Sequence, residues 1–65
     1  MVPANIFKDI IRSYYNTVVD TIEGDVLSKA EYDLEVKRRV YAMVNPANNE
    51  TAAMFNKLYD EIAGA

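Results

Sequence analysis

The sequence predicts an all-α fold, a small three-helix bundle that dimerises, with helices at about 5–23, 29–44 and 49–63 of a single domain, 1–65. Three observations predict it. The first is a run of adjacent apolar pairs: Ile6 and Phe7, Ile10 and Ile11, Tyr14 and Tyr15, Val18 and Val19, then Ile22, with polar pairs between them. Recurrence every fourth residue is a helical period, whereas a strand would alternate. The second is Ser28-Lys29-Ala30-Glu31, a capping box that marks a helix start. The third is the stripe Met54, Phe55, Leu58, Tyr59 and Ile62, with Asn56, Lys57, Asp60 and Glu61 opposite.

Taken in order, the first helix follows a lead-in whose Pro3 suits a first turn or the residue just before it. Asn5 is the expected cap, and Gly24 supplies the left-handed position that commonly ends a helix. Thr17 to Ile22 has strand propensity, but the unbroken four-residue repeat outweighs it. Asp25, Val26 and Leu27 connect to the second helix, where Leu27 and Tyr32 are placed as a hydrophobic staple around the Ser28 cap. That helix stops at Val44, because Asn45 precedes Pro46 and is biased away from helical backbone. Asn48 or Asn49 caps the third helix, Glu50 suits the positive end of its dipole, and Gly64 closes it.

A chain of 65 residues has little core to work with. With no Cys and no His, disulfides and the usual nitrogen and sulfur metal ligands are absent. Packing and self-association remain. No cofactor is expected. No apolar run approaches the length of a membrane span, and no leader pattern is present, so the expectation is a soluble cytoplasmic protein without membrane contact.

The first helix carries more apolar surface than a surface helix needs. At 100° per residue its apolar arc covers about 220°, against a usual stripe of little more than about 100°. Either this helix is central or part of it meets another chain. The sequence reading places a homodimer interface on Phe7, Ile11, Tyr14, Tyr15, Val18, Val19 and Ile22, with Tyr15, Val19 and Ile22 as the side left uncovered. Asp33 and Lys37, spaced to pair at i and i+4, fall inside the apolar arc of the second helix.

Chemistry is scarce. Ser13 and Ser28 have no histidine base, and two glycines, Gly24 and Gly64, make no phosphate loop. The Glu23-Gly24-Asp25 turn lacks calcium-loop spacing, and Asn49-Glu50-Thr51 matches a glycosylation acceptor by chance at a helix start. The function expected is non-enzymatic: a protein-protein interaction module acting as an adaptor, regulatory subunit or inhibitor. The alternative is a helix-turn-helix DNA-binding regulator built on the second and third helices, with Lys37, Arg38, Arg39, Asn48, Asn49 and Lys57 as the contacting residues. A net charge of −3 weighs against nucleic acid, since phosphate binding needs basic side chains.

Overall fold

The computed structural model describes residues 3–22 and 27–64. Within them lie α1 (Ala4–Ile22), α2 (Lys29–Val44) and α3 (Asn49–Ala63), and the all-α architecture is as expected. Glu23, Gly24, Asp25 and Val26 lie outside the described residues, and with them the expected Gly24 helix end.

Local chemistry explains the boundaries. The Phe7 amide donates to the Pro3 carbonyl at 3.0 Å, so α1 starts one residue earlier than its expected cap and Asn5 is already helical. Proline presets the backbone dihedral of a helix entry and has no amide of its own to leave unpaired, which makes Pro3 a fitting entry residue one turn ahead of Phe7. At α2 the capping box is complete: the Glu31 amide donates to Ser28 Oγ at 3.3 Å, and the Ser28 amide donates to Glu31 Oε1 at 3.4 Å. Leu27, the expected staple partner of Tyr32, stays 37% exposed, while Tyr32 packs against the core.

The end of α2 adds something the Asn-Pro pattern did not contain. Asn45 adopts a left-handed backbone (φ 51°) while its amide donates to the Tyr41 carbonyl at 2.8 Å. Asparagine tolerates this conformation better than most residues, so Asn45 closes the helix and Pro46 prevents its resumption. Asn48 is the cap of α3, with Oδ1 accepting from the Thr51 amide at 2.8 Å.

Helix α1 is the central element. Both α2 and α3 pack on it, and they touch one another only sparingly. The core consists of Phe7, Ile11, Val18 and Ile22 from α1, Val36 and Val40 from α2, and Phe55, Leu58 and Tyr59 from α3. Phe55 is the hub, stacked on Tyr59 (centroids 5.6 Å apart) and edge-on to Tyr41 (5.2 Å).

This packing corrects the expected interface. Phe7, Ile11, Val18 and Ile22 are buried inside the chain's own core and present nothing to a second chain. Tyr14, Tyr15 and Val19 are partly buried against that core. The reason is that two helices flank α1 on different sides. Tyr15 meets Tyr59 of α3 edge-to-face at 5.8 Å, while Thr17, Val18 and Thr21 line a groove shared with α2. The uncovered part of the wide arc is its opposite wing, Ile6 (48% exposed) and Ile10 (41%), rather than Tyr15, Val19 and Ile22.

Candidate interaction surface

Helix α2 has two apolar faces. Val36 and Val40 point into the core. Leu34 lies on the side away from Val36, together with Leu27 just before the helix, while Tyr41, a heptad on, is 41% exposed but turns its ring onto the buried Phe55. Leu34 is 71% exposed, the most exposed large apolar residue among the described residues.

Leu34 stands as a ridge between two depressions. On one side is a cleft of about 610 Å³ where the start of α2 and the end of α3 diverge, floored by Tyr15, Tyr32 and Tyr59 and edged by Lys29, Asp33, Lys37 and Asp60. On the other is a groove of about 320 Å³ lined by Leu27, Glu31, Glu35, Arg38 and Arg39. A third groove, about 340 Å³ and mainly apolar, runs between α1 and α2 past Thr17, Thr21, Ala42 and Met43. The Thr17 and Thr21 hydroxyls donate to carbonyls one turn back, Ser13 at 3.0 Å and Thr17 at 2.9 Å, so their polar atoms are spent within the helix.

Charged side chains on α2 are arranged differently from the sequence expectation. Asp33 does not pair with Lys37. It accepts from Lys29 Nζ at 3.4 Å, and the Lys37 ammonium lies over the Tyr59 ring, 5.6 Å from its centroid. Both partners of Asp33 sit at i±4 spacing, and the ring is the better site for Lys37 because it shields the alkyl stem while the cation meets the aromatic face. Glu35 binds two arginines: Arg38 Nε donates to Oε2 at 3.1 Å and Arg39 Nε to Oε1 at 2.6 Å. Those hydrogen bonds, Arg38 first and then Arg39, hold the Glu35 carboxyl down at about 2. Burial pushes the Tyr59 phenol up to about 12, with the Tyr15 and Asp33 neighbours adding to it.

The residues of the helix-turn-helix alternative are mostly engaged within the fold. Lys37 caps a ring, Arg38 and Arg39 share Glu35, and the Asn48 side chain closes the α3 turn. Asn49 and Lys57 are exposed on α3, next to the acidic Glu50 in the case of Asn49. The first turn of α3, Asn49 to Ala52, carries no basic side chain.

The apolar ridge with its flanking clefts was missed from the sequence because Leu34 looked like one more member of a broad α2 arc. Its spacing from Leu27 was the signal that could have separated the two faces. No group of three or more His, Cys, Asp or Glu side chains among the described residues is placed to hold a metal ion. Among the described residues no helix is long and apolar enough to cross a membrane. No family model, curated protein or solved structure matches the chain.

Proposed function

We propose that this chain is a protein-protein interaction module that acts by binding, self-association included, and performs no chemical step of its own. The observation that carries the reading is the ridge at Leu34, which at 71% is far more exposed than any other large apolar side chain among the described residues, Ile6 being next at 48%. Exposed apolar surface next to shaped depressions is the usual mark of a contact site. Tyrosines lining the adjacent cleft add contact area at low entropic cost. The arginines and acids around the ridge supply a polar rim.

A photo-crosslinking residue placed at Leu34, with a control at exposed Asn16 on α1, tests this in cells that make the protein. Covalent protein adducts, with the same chain or another, are expected from position 34 and far fewer from position 16. Equal adduct yields at the two positions would refute the reading.

A further inference from the structure

We infer that the partner at the Leu34 ridge is a second copy of this chain, docked through α2 against α2 in an antiparallel, twofold arrangement centred on Leu34. This rests on the reading of the chain as a protein-binding module and names its partner and geometry. The argument is charge complementarity. The acids flanking the ridge, Glu31 and Asp33, lie before Leu34, and the bases, Lys37 and Arg38, lie after it. A twofold axis beside residues 34 and 35 exchanges the two halves. Residue 31 of one copy then lies level with residue 38 of its mate, and residue 33 lies within one residue of residue 37, within reach of a lysine side chain. Glu31 and Asp33 each meet a cation, twice over by symmetry, while Glu35, beside the axis, is already held by Arg38 and Arg39 of its own chain. A parallel, in-register pair would set acid on acid and base on base. A closed twofold pairing must be self-complementary, and this pattern is.

The shape agrees with the charge. Leu34 is a ridge with a depression on each side, so the ridge of one copy seats in a groove of the other. The charged groups also keep capacity for new partners. Glu31 is bonded through Oε1, Asp33 through Oδ2, and Arg38 through Nε and Nη2. Glu31 Oε2, Asp33 Oδ1 and Arg38 Nη1 make no hydrogen bond among the described residues, so these three take intermolecular partners without breaking their internal hydrogen bonds. Lys37 makes no salt bridge of its own among the described residues beyond its place over the Tyr59 ring. The area is modest, one helix about 24 Å long against another, which sets a dimer in fast exchange with monomer.

The chain has no native Cys, so introduced thiols report the geometry directly. In an antiparallel dimer with its axis between residues 34 and 35, Leu34→Cys should form a disulfide-linked dimer under mild oxidation. Ala30→Cys should not, because each copy sits about 7 Å from the axis and the pair about 14 Å apart along it, beyond disulfide reach. Sedimentation over a range of concentrations gives the second test. Leu34→Glu should weaken the dimer about 100-fold or more, since both copies lose the contact at once. Lys37→Asp should also weaken it, and Asp33→Lys added to Lys37→Asp should restore it. Helicity is followed for each variant by circular dichroism, and Glu31 is left unchanged because it closes the α2 cap. A dimer that survives Leu34→Glu, or crosslinks through position 30 and not 34, overturns this geometry while leaving a binding module intact. A chain that stays monomeric at every concentration overturns the second copy as partner. Loss of all adducts at position 34 in cells, by contrast, removes the binding reading itself.

Discussion

Replacing Phe55 with Ala tests the packing at its hub. Phe55 is fully buried, and it alone joins Tyr41 of α2 to Tyr59 of α3 through ring contacts. Truncating a buried Phe to Ala costs about 3–5 kcal/mol. Two aromatic contacts, worth about 0.5–1.5 kcal/mol each beyond burial, put this site towards the upper end. Native domains hold roughly 0.05–0.15 kcal/mol per residue, so a chain of 65 residues has about 3–10 kcal/mol in total. Phe55→Ala therefore removes a large share of the stability. Urea unfolding followed by helical circular dichroism should show the midpoint falling steeply with the slope unchanged. Phe55→Leu, which keeps much of the apolar volume, should fall between. A loss below about 1.5 kcal/mol for Phe55→Ala would refute the assignment of Phe55 as the hub, since a side chain that cheap to remove is not holding two helices together.

Adjacent isoleucines give a sharp contrast: Ile11→Glu buries an unpaired charge in the core and should unfold the domain, whereas Ile10→Glu should leave the helical signal and melting temperature nearly unchanged. Equal effects would show that the two wings of α1 are misassigned. Ser28→Ala and Asn48→Ala should each lower stability by about 0.5–2 kcal/mol in denaturant titrations, because each leaves first-turn amides without their acceptor. Alkaline titration tests the core. The Tyr59 phenol is raised to about 12 in the fold against 10.0 in the unfolded chain, so its contribution is complete below about pH 10 and is lost as pH rises towards 12. Phenolate absorbance should show one of the five tyrosines ionising late, and Tyr59→Phe should remove that late step; five tyrosines ionising together would contradict the burial.

Much of the secondary structure was legible because its signals are local. A capping box involves four consecutive residues, and Ser28 and Glu31 satisfy each other's backbone without help from the rest of the chain. The Asn48 cap and the stop at Asn45 and Pro46 have the same character. The start of α1 was misread by one residue because two local devices competed there, and proline's preset backbone prevailed over asparagine's side chain. The candidate surface was less legible. An apolar arc of about 220° says that α1 has more than one buried side. It does not say which neighbour takes which side.

What the sequence by itself determined is where α2 begins and ends, where α3 begins, and that α1 is unusually apolar. Those follow from the order of residues along one strand of backbone. Only the tertiary structure decided that Ile11, Val18 and Ile22 face inward, that Ile6 and Ile10 do not, and that Lys37 leaves Asp33 for the Tyr59 ring. The physical reason is that burial is a property of pairs of helices. Where α3 crosses α1 beside Tyr15, and where α2 meets it beside Thr17 and Thr21, depends on how side chains from distant parts of the chain fit together. The outward face of α2, with Leu34 at its centre, is what that fit leaves exposed.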